Sequence, residues 1–151
     1  MAPPSARVAI ACDHAGVALK RTLAAALREA GHEVLDLGTD GSESVDYPDY
    51  AEALASAIAA GRAGRGVLVC GTGIGIAIAA NRHPAVRCAV VHDATSTRLA
   101  RQHNDANVIA LGARLVGEAV ALDCLNLFLG TAFEGGRHAR RVAKLSGKVF
   151  S

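Results

Sequence analysis

The fold is decided by the stretch Val67-Leu-Val-Cys-Gly-Thr-Gly-Ile-Gly-Ile-Ala-Ile-Ala-Ala80. Its apolar, β-branched start predicts a buried strand, its three alternating glycines a tight turn, and its Ala/Ile-rich end the beginning of a helix. Cys70 stands where the predicted strand ends, and the positive end of the following helix favours a thiolate there. The glycine turn is suited to hold an anion or a developing oxyanion. The stretch therefore predicts a cysteine base beside an oxyanion-binding turn.

The composition limits what kind of protein this is. A length of 151 residues suits one domain over residues 1–151, and 51% hydrophobic with 20% charged residues excludes wholesale disorder. A net charge of +2 with 3% aromatic residues argues against a nucleic-acid partner. No apolar run approaches the roughly 20 residues of a membrane helix. Residues 1–6 lack the features of a signal peptide and are expected to be disordered. We expect a cytoplasmic protein with no membrane partner.

The four cysteines are far apart in sequence and form no Cys-x-x-Cys pair. We therefore expect reduced thiols, with neither a metal site nor a disulfide framework. Cys12 and Cys88 lie in apolar strand patterns and Cys124 in an apolar helical one, where a cysteine is typically a small packing residue. Cys70 alone has a setting for chemistry.

Strand and helix patterns alternate along the chain. Strands are predicted at residues 7–12, 33–37, 67–70, 86–91 and 107–111. Between and after them lie helical patterns, including residues 94–103, residues 117–129 and a basic helix that follows Gly135-Gly136. This alternation predicts a parallel sheet covered by helices on both faces, which binds ligands at the carboxyl ends of its strands. Asp13, His14, Cys70 and Asp93 fall at such ends.

A polar loop over residues 38–49 contains Tyr47-Pro48 and is long enough to suggest a function. Asp49 is predicted to cap the helix that follows, which runs through Ala60. Four apolar residues at helical spacing form its predicted inner stripe: Ala53, Leu54, Ala57 and Ile58.

Several motifs in order carry a family resemblance. They are Ala11-Cys-Asp-His-Ala-Gly16, Asp46-Tyr-Pro48, Cys70-Gly-Thr-Gly-Ile-Gly75, Ala79-Ala-Asn81, Arg101-Gln-His-Asn-Asp-Ala-Asn107, Leu111-Gly-Ala-Arg114 and Phe133-Glu-Gly-Gly-Arg-His138. Over nearly the whole chain this combination resembles the ribose-5-phosphate isomerase B family, the RpiB/LacAB sugar-phosphate isomerases. The resemblance implies an α/β fold, a Rossmann-like αβα sandwich with a five-stranded parallel sheet. It also implies a cofactor-free aldose–ketose isomerase that acts as a homodimer or a dimer of dimers, with active sites built between subunits.

The resemblance assigns the proton transfer to the glycine turn. Cys70 matches the catalytic base that moves a proton between C1 and C2 of the sugar. Some family members use a glutamate a few residues later instead, but Ile74-Gly-Ile-Ala77 contains no carboxylate. Thr72 would assist through its hydroxyl. The backbone N–H groups from Gly71 to Gly75, through Thr72, Gly73 and Ile74, would stabilise the enediolate oxygen.

His103 resembles the residue that opens the furanose ring by giving a proton to the ring oxygen. Without the family, it would be interpreted as a surface residue of a helix. Asp13, His14 and Asn104 resemble residues that contact the substrate. Tyr47 resembles a residue lining the same site, where packing against the wall and direct contact are equally favoured.

The arginines near the end of the chain predict a phosphate site. Arg137 and Arg141 are one helical turn apart, so both guanidinium groups can bind one dianion, and Arg114 would be the third cation. On charge alone a solvated basic helix end is the better interpretation. Gly135-Gly136, just before the arginines, favours the phosphate site instead.

Three alternatives stay open at this point. A dinucleotide-binding turn is disfavoured because Gly-x-Gly-x-x-Gly read from Gly71 or Gly73 meets Ile76 or Ile78 at its third glycine. A non-catalytic sugar-phosphate sensor would leave Cys70 without a purpose. Within the isomerases, ribose 5-phosphate is the first choice, with allose 6-phosphate, galactose 6-phosphate and free aldoses as alternatives.

Overall fold

A computed structural model describes residues 7–147; the predicted disorder of residues 1–6 lies outside this range. The strands are β1 (Val8–Cys12), β2 (Val34–Asp36), β3 (Arg65–Cys70), β4 (Cys88–Val90) and β5 (Val108–Gly112). The helices are α1 (Val17–Glu29), α2 (Tyr47–Ala59), α3 (Ile74–Ala80), α4 (Ala94–Asn104), α5 (Glu118–Gly130) and α6 (Arg137–Gly147). No helix among these is long and apolar enough to cross a bilayer.

The five strands form one parallel sheet in the order β2-β1-β3-β5-β4. Successive residues of a strand point to opposite faces, so each strand contributes to two cores. Along β1, Val8 and Ile10 join a core with residues of α1 and α5. Ala9 and Ala11 join the other core, with residues of α2 and α3. The predicted single-domain αβα sandwich with a five-stranded parallel sheet is confirmed.

The strand order places a crevice between β1 and β3. From β1 the chain passes through α1 to β2 on one side of the sheet, whereas β3 is followed by α3 on the opposite face. A crevice opens at the carboxyl ends of two neighbouring strands whose helices diverge in this way. Asp13 follows β1 and donates its N–H to the Val69 carbonyl over 3.1 Å, so it lies beside the end of β3.

The prediction that Asp49 caps α2 is wrong. The helix begins two residues earlier at Tyr47, and Asp46 holds the capping position without a capping bond from its side chain. Pro48 fits the first turn because a proline there loses no helical hydrogen bond. The predicted inner stripe is right for Leu54 and Ala57, whereas Ala53 and Ile58 are half-buried. The fully buried positions of the helix are Ala51, Leu54, Ala55 and Ala57.

Candidate active site

Cys70 ends β3 with its side chain buried among the α2 and α3 residues of the second core. Its Sγ accepts a hydrogen bond from the Gly73 N–H over 3.1 Å. The bond directs a backbone donor at the sulfur atom, where negative charge develops when a cysteine acts as a base. Gly73 has φ +78°, and a Cβ there would lie 2.9 Å from the Leu111 carbonyl carbon. Only glycine therefore fits the position that holds the sulfur.

The other three cysteines differ from Cys70. Cys12 and Cys124 are fully buried, as expected for packing residues, and Cys88 is half-buried. Burial raises the pKa of the Cys12 thiol to about 11 and that of Cys88 to about 12, and it also raises the pKa of Cys124. All three are therefore neutral thiols at physiological pH, and all four cysteines are free of disulfides.

A cleft of about 360 Å³ opens beside Cys70, a size suited to a small ligand. Its lining comes from the end of β3, the loops after β1, β3 and β5, and the starts of α2 and α3: Asp13, Tyr47, Cys70, Gly71, Thr72, Ile74, Gly75 and Arg114. All eight belong to the predicted site. The sheet brings them together from parts of the chain up to a hundred residues apart.

Two glycines let the cleft walls approach the turn closely. A Cβ on Gly75 would lie 2.6 Å from Cζ of Tyr47, so the tyrosine ring packs directly on this glycine. Arg114 lies over Gly71 in the same manner, with Nη1 3.3 Å from the place of a Cβ, and its N–H donates to the Gly71 carbonyl over 3.0 Å. The floor of the cleft is therefore backbone, and its walls are an aromatic ring and a guanidinium group.

Hydrogen bonds orient the remaining polar groups. Asp13 is buried, and its Oδ1 accepts from the Ala15 N–H over 3.0 Å. His14 accepts the Val45 N–H at Nδ1 over 3.2 Å, so a neutral His14 ring carries its proton on Nε2. Thr72 Oγ1 accepts from the Ile74 N–H over 3.2 Å, which leaves its hydroxyl proton free to be donated.

A buried lysine fixes the segment that leads to Tyr47. Lys20 is fully buried, and its Nζ lies 2.7 Å from Asp36 Oδ1 and 2.6 Å from Asp40 Oδ1. Burial alone would lower the pKa of Lys20, but the bonds to the two carboxylates outweigh it and raise that pKa. The same bond lowers the pKa of Asp40. This ion pair network ties the residues after β2 to α1, and with them the start of the loop before α2.

His103 and Asn104 lie at the opposite edge of the sheet. They end α4, which returns from the carboxyl end of β4 to the start of β5. The amino ends of the strands meet at this edge, called the amino edge below. The segment just after Asn104 is fixed there because Gly66, the second residue of β3, donates its N–H to the Asn107 carbonyl. Cys70 pairs with Gly112 at the far end of β5, and four steps of about 3.3 Å separate the two ends by about 13 Å.

The arginines of α6 also belong to this second edge. α6 packs against α4 and is entered through Gly135 and Gly136, whose φ values are +66° and +55°. Arg137 and Arg141 are both exposed, one turn apart. Within one chain Arg114, predicted as the third cation, lies in the Cys70 cleft, since it follows β5 at its carboxyl end.

A model of the ribose/galactose isomerase family matches residues 8–145 of the chain. The chain belongs to this family. It is 46% identical to ribose-5-phosphate isomerase B of Escherichia coli over 93% of the chain and 94% of that protein. The ribose-5-phosphate isomerase B structure from Clostridium thermocellum matches with a TM-score of 0.91 at 48% identity, covering 93% of this chain and 95% of that one. The Trypanosoma brucei type B enzyme matches with a TM-score of 0.91 at 43% identity, covering 94% and 97%.

Within one chain, the predicted site residues fall into two groups at opposite edges of the sheet. The carboxyl edge holds Asp13, His14, Tyr47, residues 70–75 and Arg114, whereas the amino edge holds His103, Asn104, Arg137 and Arg141. A ribose/galactose isomerase that uses both sets on one sugar must bring two edges together.

Glu134 and His138, at the amino edge, were not predicted as part of a site. The rings of His103 and His138 stack with centroids 4.3 Å apart and planes at 14°. Glu134 Oε1 lies 3.8 Å from Nε2 of His103 and 3.7 Å from Nε2 of His138. Burial, helped by the charges of His103 and Arg137, lowers the pKa of His138. The spacing of four between Glu134 and His138 was the available signal, hidden by the two glycines after Glu134.

Proposed function

We propose that this protein is an aldose–ketose isomerase that interconverts ribose 5-phosphate and ribulose 5-phosphate through a cis-enediolate. The family membership and the names of the relatives support this activity class. The observation that carries the proposal is the Gly73 N–H donated to Cys70 Sγ at the floor of the cleft. It marks Cys70 as the thiol that can act as a base, whereas burial holds the other three neutral.

In the proposed reaction the Cys70 thiolate takes the proton from C2 of the open aldose. The C–H electrons form the C1–C2 double bond, and the carbonyl electrons move to O1. Backbone N–H groups between Gly71 and Gly75 that are not already bonded to Cys70 or Thr72 stabilise the oxygen charge. The Cys70 thiol then returns the proton to C1 while the hydroxyl proton passes from O2 to O1, for which Thr72 supplies a donor close to the turn.

Ring opening and phosphate binding are assigned to the amino edge. His103 gives its proton to the ring oxygen as the C1–O bond breaks, so that a free carbonyl reaches Cys70. Arg137 and Arg141 hold the phosphate through charge-assisted bonds. Asn104, Asp13 and His14 contact the sugar, and Tyr47 and Arg114 form the walls beside it.

We propose that the active site is shared between subunits of a homodimer or a dimer of dimers. His103 and Cys70 belong to opposite ends of strands about 13 Å long, which supports the inference that those of one chain do not act on the same sugar. Ile74 and Ile78 of α3, next to the cleft, are 51% and 63% exposed, an apolar face that a second copy would cover. Each site would then pair one subunit's carboxyl edge with its partner's amino edge.

We also propose that residues 1–151 act as a single isomerase domain in the cytoplasm. The four free thiols fit a reducing compartment. The net charge of +2 and the 3% of aromatic residues argue against a nucleic-acid partner.

The test is a panel of aldose phosphates ranked by kcat/KM. Ribose 5-phosphate should rank first, ahead of allose 6-phosphate, galactose 6-phosphate and free aldoses. If a six-carbon sugar phosphate ranked first, the activity class would stand but ribose 5-phosphate would be replaced as the proposed substrate. Tight binding of ribose 5-phosphate without turnover of any member would overturn the proposed activity and favour a sugar-phosphate sensor.

A further inference from the structure

His103, Glu134 and His138 together form a group of metal-ligating side chains outside the Cys70 cleft. Within the described part of the chain, one ligand atom from each of these residues lies within 4.8 Å of the other two. We propose that they form a reversible binding site for a divalent transition-metal ion of the Zn²⁺ type, and that the bound ion inhibits the isomerase by occupying His103. The inhibition rests on the proposed function, whereas the metal binding does not.

The distances favour an ion between the three groups over direct bonds among them. Glu134 Oε1 stands 3.8 and 3.7 Å from the two imidazole nitrogens, beyond hydrogen-bond length. Zinc ligands about 2.1 Å from the metal at tetrahedral angles lie about 3.4 Å from one another. Closing the site therefore requires contractions of about 0.4 Å at the carboxylate, with the two stacked rings tilting apart to direct both nitrogens at the ion.

The side chains that must move are the ones free to do so. His103 and Glu134 side chains are 38% and 51% exposed, whereas that of His138 is 9% exposed and held by its surroundings. The backbone beneath them is already fixed. Glu134 donates its N–H to the Gln102 carbonyl over 3.1 Å, next to His103, and the His138 N–H donates to Gly135 over 3.0 Å.

The donor set selects the metal class. Two imidazole nitrogens and one carboxylate oxygen suit Zn²⁺, Co²⁺, Ni²⁺ or Cu²⁺, whereas Mg²⁺ and Ca²⁺ prefer sites made of oxygen alone. Three protein ligands leave a fourth position for water. Arg137 and Arg141 bring positive charge to the same helix, which opposes a cation and keeps the site reversible.

Inhibition follows from the nitrogen that the ion occupies. A metal bound to Nε2 of His103 displaces the proton from that nitrogen, so the ring cannot protonate the oxygen of a furanose. An aldose phosphate that lacks the C4 hydroxyl cannot close this ring and does not need that step. Metal should therefore slow turnover of ribose 5-phosphate and spare the acyclic analogue.

The experiment is a Co²⁺ titration of tag-free protein, followed by visible absorption and by isomerase activity. Wild type should develop the d–d bands of tetrahedral Co²⁺, which Zn²⁺ then displaces. Glu134→Gln should bind Co²⁺ at least about tenfold more weakly, since changes to the partners of metal ligands already cost about 10–100-fold and this change removes a ligand itself. Cys70→Ala, which removes the competing thiolate, should bind as wild type does.

Absence of the bands, equal binding by Glu134→Gln, or loss of binding in Cys70→Ala would each overturn the metal site. Co²⁺ bands without any slowing of ribose 5-phosphate turnover would overturn the inhibition. The spectrum decides the metal site even if the protein isomerises no sugar, so failure of the proposed function is recognised separately.

Discussion

The two edges of the sheet hold their functional groups in different ways. At the carboxyl edge Cys70 is buried and bonded by a backbone N–H, and Asp13 is buried with its carboxylate bonded to the backbone. At the amino edge the His103 residue is half-buried, and Arg137 and Arg141, which have long side chains, are exposed.

This difference matches the two tasks proposed for the two edges. Proton transfer at carbon needs donors fixed before the reaction, which backbone groups of a tight turn provide. Opening a ring and holding a phosphate tolerate longer side chains that close on the ligand. The chain thus presents a rigid half and an adaptable half, and the proposed dimer makes each complete the other.

The largest expected effect comes from changing Cys70 in the rigid half, at the carboxyl edge. Cys70→Ser should reduce kcat by about 10²–10⁴-fold, the range for loss of a general base, because a serine hydroxyl is too weakly acidic to form the needed anion. KM should change little, as the walls of the cleft stay in place. Steady-state kinetics check this, with Cys88→Ala as the matched cysteine control. A kcat within tenfold of wild type would remove Cys70 from its role.

Mixing the two halves tests whether they meet across subunits. Cys70→Ala and His103→Ala proteins should each be nearly inactive, but co-expressed chains that assemble at random should recover about a quarter of wild-type activity. The reason is that one site in four then receives both intact residues. Activity of the mixture no higher than that of the separate variants would place both residues in one chain's site.

A smaller effect is expected from the adaptable half. Arg137→Ala should raise KM for ribose 5-phosphate by about 10–100-fold, since hydrogen bonds to charged groups contribute about 1.5–3 kcal/mol. kcat should fall less because the proton transfer is untouched. Arg140→Ala, an exposed neighbour on the same helix, is the control. An unchanged KM in Arg137→Ala, or an equal rise in Arg140→Ala, would reject the phosphate assignment.

Features set by neighbouring residues were predictable from the sequence. The strand, turn and helix around Cys70 follow from local pattern, and so does the entry to α6 through Gly135-Gly136. The start of α2 was misplaced because Asp49 and Asp46 are both capping residues, and only the fit of Pro48 in the first turn separates them.

Features set by the order of strands were not predictable. Nothing in the spacing of Arg114, Arg137 and Arg141 tells that, within one chain, Arg114 lies at the carboxyl edge and the other two at the amino edge. Lys20 was missed for a related reason. Lys20 is among the buried residues of α1, but its partners Asp36 and Asp40 come from β2 and the loop after it.

The backbone floor of the cleft has a consequence for how its specificity can evolve. Side chains cannot be added at Gly73 or Gly75 without meeting Leu111 or Tyr47, and a Cβ on Gly112 would lie 2.6 Å from the Thr72 carbonyl carbon. Natural variation therefore has little room to alter the groups that stabilise charge. If the proposed site is right, divergence between five-carbon and six-carbon sugars would be confined to the walls of the cleft, which include Tyr47. Substrate choice can then change while the proton-transfer chemistry stays the same within one small domain.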